Sequence, residues 1–197
     1  TALDRLDAVI LLMRLFILPT ILLGLIACSD PTPGKKYISI PSLIEQQIKH
    51  VDTSLYSIQQ LIAQDTLPAD TNYVPREDFR QHASAFLSIP DLSDPKQANL
   101  FNEEIRYDDL LKRVIISYTP ATPGKTEFQR IELFVEPNLA TGDQVKTILA
   151  TRRKGDRDGF EQDEFVWQMD RSCTRIRTTR KPAAAEQTTT YKLSWND

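Results

Sequence analysis

The sequence has few of the residues on which common catalytic and metal sites depend. It contains two cysteines, Cys28 and Cys173, and two histidines, His50 and His82. No C-x-x-C, H-E-x-x-H or G-x-S-x-G motif occurs, so the spacings used by zinc proteins, metalloproteases and serine hydrolases are missing. We therefore expect no enzyme activity, no cofactor and no metal site.

An excess of positive charge is also missing. Lysine and arginine together number 24 against 27 acidic residues, which gives a formal net charge of -3. A nucleic-acid-binding domain ordinarily carries a basic surplus. We therefore expect no nucleic acid partner.

The longest apolar run is too short to span a membrane. Leu15 to Ile26 is a run of about a dozen residues, whereas a bilayer core needs roughly 20. Arg14 precedes the run and the small residue Ala27 follows it, which is typical of a secretory signal. We expect residues 1–27 to be the signal peptide region. Translation is expected to start at Met13, because the residues before Met13 are net acidic.

The end of this run carries a short motif, Leu25-Ile26-Ala27-Cys28. It resembles the lipobox of bacterial lipoproteins, which implies cleavage before Cys28 and a membrane anchor through acyl chains, such as palmitate, attached at that residue. Residues 28–36 are Pro-rich and polar beyond the cysteine, so they are predicted to form a flexible tether. The alternative is an uncleaved signal anchor with an incidental cysteine.

The layout of lipobox, short tether, amino-terminal helices and antiparallel sheet resembles small lipoproteins of Bacteroidetes. This resemblance covers the whole chain and implies a location in the bacterial cell envelope, at the outer membrane, with the periplasmic or surface face left open. The family offers no established activity and no catalytic residues.

Apolar spacing predicts two amphipathic helices at the start of the domain. Ser42 and Glu45 form a capping-box pattern, after which apolar residues recur every three or four positions to about Gln64. A second helix is predicted to begin near Pro75. The apolar stripes of the two helices are Ile44, Ile48, Val51, Leu55, Ile58 and Ile62, and then Phe79, Ala83 and Phe86.

From about Glu103 the apolar period changes to two, which predicts strands. Short loops separate the strands, so we expect an antiparallel meander. The predicted fold class is α+β, a single domain at residues 37–197 with its amino-terminal amphipathic helices packed on one face of a five- or six-stranded sheet. The strand-like runs are 114–119, 131–135, 145–152, 165–169, 173–179 and 191–195.

Two segments resemble binding motifs without meeting their requirements. Asp156, Asp158 and Gly159 alternate as in a calcium loop, but in that register Lys154 and Phe165 occupy the essential first and last ligand positions. The GKT sequence at 124–126 lacks the first glycine of a phosphate loop and has no helix after it. Both segments are predicted to be hairpin turns.

The candidate binding surface consists of Arg152, Arg175 and Arg177, which are predicted to form a basic stripe on the exposed face of the sheet. Such a stripe suits an acidic partner, a lipid head group or a glycan phosphate. The alternative is a solvated face with cross-strand pairs to the neighbouring residues Glu132, Glu164 or Lys192.

Two further residues with reactive side chains, Cys173 and His82, are interpreted as residues without a chemical role. Cys173 lies in a strand-like run and is interpreted as a small apolar residue on the sheet. His82 has no histidine, cysteine or carboxylate at a ligand spacing and is interpreted as a surface or boundary residue.

Three functions remain open from the sequence, of which a hydrolase is the least favoured because the catalytic motifs are missing. The leading hypothesis is a membrane-anchored, non-enzymatic envelope lipoprotein that binds a protein or glycan component of the envelope through its exposed sheet face. The alternative is a periplasmic carrier that holds lipid or another apolar ligand between sheet and helices.

Overall fold

The computed structural model describes residues 38–65, 67–140, 142–156 and 158–196. The predicted signal peptide, Cys28 and the tether lie outside the described residues. No helix among the described residues is both long enough and apolar enough to cross a bilayer.

The first helix, α1, spans Ile40–Thr53. Ser39 is its N-cap and accepts a hydrogen bond from the Ser42 amide, so the predicted start at Ser42 is three residues late. The Thr53 and Ser54 hydroxyls donate to carbonyls of the last turn, where the helix ends. The predicted continuation of this helix to Gln64 is wrong.

The residues after α1 form a hairpin of strands β1, Ile58–Gln64, and β2, Asp70–Val74. Ile58 and Ile62 are four residues apart, and a spacing of four places two side chains on one face in either a helix or a strand. Because this spacing fits both structures, the helix was wrongly predicted to continue into β1. Leu55, which the helical stripe includes, is 96% exposed in the connecting segment.

The second predicted helix is broken into short pieces. A 3-10 turn at Arg76–Asp78 leads into α2, Phe79–Ala83, and a further 3-10 turn covers Ser84–Ser88. The Ser84 and Ser88 hydroxyls donate to the carbonyls of Gln81 and Ala85, which favours tightened turns over a continuous α-helix. A single helical turn, α3, follows at Pro95–Ala98.

Seven further strands complete a sheet in which every neighbouring pair is antiparallel. In the described residues the sheet has nine strands in the order β2-β1-β9-β8-β7-β6-β5-β4-β3. The strands not yet given are β3 Phe101–Asp108, β4 Arg113–Pro120, β5 Phe128–Glu136, β6 Gln144–Gly155, β7 Phe160–Gln168, β8 Ser172–Arg180 and β9 Gln187–Ser194.

The predicted fold class, α+β with helices packed on a five- or six-stranded sheet, is therefore wrong. The described chain is mostly a nine-stranded antiparallel sheet with three short helices. The strands missed by the sequence, β1, β2 and β3, are rich in Gln, Asn, Asp and Glu, which have low strand propensity. Their conformation comes from pairing with β9, β1 and β4 rather than from their own composition.

The core lies between one face of the sheet and the segment from α1 to the 3-10 turn at Ser84–Ser88, and we call this the helix-side face. The Phe79 ring lies 5.2 Å from Trp195, and the Phe86 ring lies 5.1 Å from Trp167. Gln47 of α1 also exchanges two hydrogen bonds with Asp170 in the β7–β8 turn. These contacts cover the part of the sheet where β7 ends and β8 begins, and polar side chains take over farther along the same face.

Candidate functional site

Three arginines meet around one carboxylate on the helix-side face. Arg152 of β6, Asp163 of β7 and Arg177 of β8 are direct cross-strand neighbours, and Arg175 lies two positions before Arg177. Successive residues of a strand alternate between faces, so all four share the face of Trp167 and Cys173. We call Arg152, Arg175 and Arg177 the arginine cluster.

Asp163 is the shared acceptor of the arginine cluster and is only 1% exposed. Arg175 Nε donates to Asp163 Oδ1 at 2.7 Å, and Arg177 Nε donates to the same oxygen at 2.9 Å. Arg152 Nη2 donates to the other oxygen, Oδ2. A single carboxylate thus fixes three guanidinium groups, whose side chains are 14%, 19% and 31% exposed in the order Arg152, Arg175, Arg177.

The cluster keeps a positive charge in excess. Glu161 is the only second carboxylate bound to these arginines within the described residues, through Arg177 Nη2 at 2.9 Å. Three cations therefore face two anions. Burial alone would lower the pKa of Arg177, but the hydrogen bonds and charges of Asp163 and Glu161 outweigh burial and raise that pKa, so Arg177 stays charged.

Aromatic rings and the helical segment hold Arg152 in place. Its guanidinium carbon lies 5.9 Å from the Phe128 ring centre and 5.5 Å from that of Phe165. Arg152 Nη1 also donates to Ser88 Oγ at 3.3 Å. Both ring distances are within the range of cation–π attraction. The hydrogen bond to Ser88 orients Arg152 toward the end of the helical segment.

A small pocket adjoins the cluster at Arg175. It has a volume of about 110 Å³ and lies between the segment from α2 to Ser88 and strands β1, β8 and β9. Its polar lining consists of Gln60, His82, Arg175 and Tyr191, and its apolar lining includes Phe86 and Leu193. We call this space the Arg175 pocket.

The sequence-predicted arginines are brought together, but not on the open face of the sheet. They share the helix-side face, whereas Glu132, Glu164 and Lys192 point to the other face by register. Asp163 was missed as the central partner. Its signal was present in the sequence, since Asp163 is in phase with Phe165 and Trp167 and is therefore predicted to share their buried face.

The other candidates from the sequence are Cys173, His82 and the two motif-like segments, and the structure places them as follows. Cys173 is buried at 2% exposure, and burial raises the pKa of its thiol well above the ordinary range. His82 is exposed, and its Nδ1 lies 3.0 Å from Gln60 Nε2. Residues 124–126 lie in the turn between β4 and β5, and the calcium-loop-like segment lies where β6 ends at Gly155 and β7 begins at Phe160. No group of three or more metal-ligating side chains occurs in the part of the chain that is described.

The space between sheet and helices is filled by side chains. Aromatic contacts link Phe86, Trp167 and Trp195 directly, and the Arg175 pocket is the space that remains beside them. Sites for drug-sized ligands usually occupy about 300–1,000 Å³. The Arg175 pocket is below that range, whereas a more open groove of about 510 Å³ lies between residues 87–94 and Phe128.

The chain matches no protein-family model, no curated protein and no solved structure in comparisons of sequence and fold.

Proposed function

We propose that this chain is a lipid-anchored envelope protein whose domain binds an anionic ligand at the arginine cluster and does not catalyse a reaction. The observation that carries the proposal is the convergence of Arg152, Arg175 and Arg177 on one buried carboxylate. The anchor rests on the lipobox-like motif at Cys28, and the ligand is a component of the envelope with a carboxylate or phosphate group.

Neutralising the buried carboxylate of Asp163 does not by itself require three arginines. One guanidinium is enough to neutralise one buried carboxylate, and each further buried cation adds a desolvation cost. Here two additional guanidinium groups lose much of their hydration around Asp163, which is 1% exposed. A bound anion would balance the surplus charge and accept the donors that Asp163 leaves unused.

Donor geometry supports the same conclusion. Arg175 binds Asp163 only through Nε, and its two terminal nitrogens have no hydrogen-bond partner in the described part of the chain. A guanidinium with one nitrogen fixed and its outer edge open is oriented in advance for a planar anion. Little side-chain entropy then remains to be lost on binding.

The environments of the nucleophile and base candidates favour binding over catalysis. Cys173 is held as a neutral thiol by burial, and the nearest polar partner of His82 is the neutral amide of Gln60. Neither arrangement activates a nucleophile, which requires an adjacent base or a lowered pKa. The chemistry of the described site is therefore recognition of charge.

Two measurements test the proposal. Labelled fatty acid is expected in the wild-type protein in cells and not in Cys28→Ala, and label in neither would contradict the anchor. Thermal unfolding of the purified full chain is compared in phosphate and chloride at equal ionic strength, because a ligand that binds only the folded state raises the Tm.

Phosphate is expected to raise the Tm of the wild type above its value in chloride. The double variant Arg175→Gln/Arg177→Gln should lose this increment, while Arg106→Gln, an exposed arginine of edge strand β3 paired with Asp108, should keep it. Equal Tm values of the wild type in the two salts would contradict the binding site.

A further inference from the structure

We infer that the Arg175 pocket takes a carboxylate group that carries a compact apolar substituent, with Arg175 as the anchor of the carboxylate. This inference rests on the proposed function and narrows its ligand. The pocket brings together the open guanidinium edge of Arg175, three polar side chains of the neighbouring strands and helix, and an apolar wall.

Arg175 is the only arginine that lines this pocket among the described residues. Its Nε is bound to Asp163 at 2.7 Å, which leaves the edge formed by the two terminal nitrogens for a ligand. Two parallel N–H donors match the two oxygens of a carboxylate. Arg152 and Arg177 are held on Asp163, so the pocket itself offers one cation, which suits a singly charged group better than a phosphate dianion.

His82 adds an imidazole ring to the pocket. Its Nδ1 lies 3.0 Å from Gln60 Nε2, which leaves the other ring nitrogen, Nε2, for a ligand. Tyr191 faces Arg175 directly across the β8–β9 pair and contributes a phenol hydroxyl. Both groups can donate to a carboxylate oxygen.

The remaining wall is apolar. Ala85 and Phe86 from the helical segment and Leu193 from β9 line it together with Cys173, whose thiol is neutral. A phosphate ion would leave this surface without a partner, whereas an aliphatic substituent would cover it. The volume of about 110 Å³ corresponds to roughly four water molecules at about 30 Å³ each, so the substituent is compact, as in the last residue of a peptide or a small free acid.

The test uses N-acetyl-leucine and its uncharged counterpart N-acetyl-leucinamide, which differ only in the carboxylate. Saturation-transfer NMR on the purified full chain is expected to show binding of the acid and binding at least about tenfold weaker for the amide. A tripeptide that ends in leucine, with a free or an amidated terminus, distinguishes the two sources of the carboxylate. Tighter binding of the free-terminus peptide than of N-acetyl-leucine identifies a peptide terminus, and the reverse identifies a small acid.

Two variants locate the binding. Arg175→Gln removes the anchor and leaves Asp163 paired with two arginines, and Ala85→Leu fills the pocket without changing any charge. Both are expected to weaken binding of the acid at least about tenfold, while Arg106→Gln leaves it unchanged. Equal binding of acid and amide, or acid binding that survives both pocket variants, would overturn the inference. If phosphate still raises the Tm in that case, the proposed function stands and only the narrower assignment fails.

Discussion

Arg175 Nε donates a hydrogen bond of 2.7 Å to Asp163 Oδ1 on the neighbouring strand. The residue directly opposite Asp163 is Arg177, and Arg175 lies two positions before it. This diagonal contact uses one side of the guanidinium and leaves its terminal nitrogens open. Asp163 itself is buried and accepts from two further arginines. Under the proposed function, Asp163 positions the three arginines and Arg175 is the residue that contacts the anion.

Asp163→Asn is predicted to destabilise the domain strongly. Removing one member of a buried ionic network leaves the others as uncompensated charges, which typically costs about 3–5 kcal/mol. The free energy of unfolding from urea titration should fall by about 3 kcal/mol or more.

Glu161→Gln is the matched control for that change. Glu161 binds Arg177 at 2.9 Å but its side chain is 36% exposed, so water screens the pair. We expect a change within about 1 kcal/mol. Equal losses in the two variants would mean that Asp163 is not the centre of the network.

The end of α1 at Thr53 is tested by two truncations. Ile44 is fully buried, so Ile44→Ala should cost about 2–5 kcal/mol of unfolding free energy. Leu55 lies beyond the helix and is 96% exposed, so Leu55→Ala should change stability by less than about 0.5 kcal/mol. A large loss at Leu55 in denaturant titrations would instead support the longer helix predicted from sequence.

Cys173 is predicted to be unreactive in the folded protein. Burial raises the pKa of its thiol above the ordinary value of 9.0, so the thiolate is scarce at pH 8. Iodoacetamide should label the peptide that contains Cys173 in urea and not under native conditions, as read by mass spectrometry. An added cysteine at exposed Ser57, Ser57→Cys, should label natively, and rapid native labelling of Cys173 itself would refute its burial.

Gly155, at the end of β6, is predicted to tolerate no side chain. Its φ of +90° is in the left-handed region, and an added Cβ would collide with the carbonyl oxygen of Gly159. Gly124 has a similar φ of +79° but open space around it. Gly155→Ala should therefore lower the Tm clearly more than Gly124→Ala, since strain and overpacking add about 1–3 kcal/mol to the shared backbone cost. Similar Tm values for the two variants would contradict the tight turn.

The part of the fold that could be predicted is the part with alternating apolar side chains. Ile131, Leu133 and Val135 of β5 are all buried on the helix-side face, as their period of two predicts. The β1–β2 hairpin carries no such alternation, and in β3 only Phe101, Ile105 and Tyr107 follow it between polar residues. Pairing with neighbouring strands is what makes these segments strands. Local sequence therefore could not give the strand count.

The arginine cluster was predictable in its members and not in its setting. Arg175 and Arg177 alternate with Cys173, so a common face follows from sequence. The strand order places β7 between β6 and β8, and this brings Asp163 between Arg152 and Arg177. The predicted meander gives this strand order and the phase of Asp163 gives its face, but the register that sets Asp163 opposite Arg152 and Arg177 is not readable from local sequence.

The most direct test of the anion site observes the guanidinium groups themselves. In the full chain labelled with ¹⁵N-arginine, side-chain Nε signals are assigned through Arg175→Gln, Arg177→Gln and Arg106→Gln, and phosphate is added at constant ionic strength. Saturable shifts are expected at Arg175 and Arg177 and none at Arg106. Small, non-saturating shifts of equal size at all three arginines would mean that phosphate does not bind at the arginine cluster.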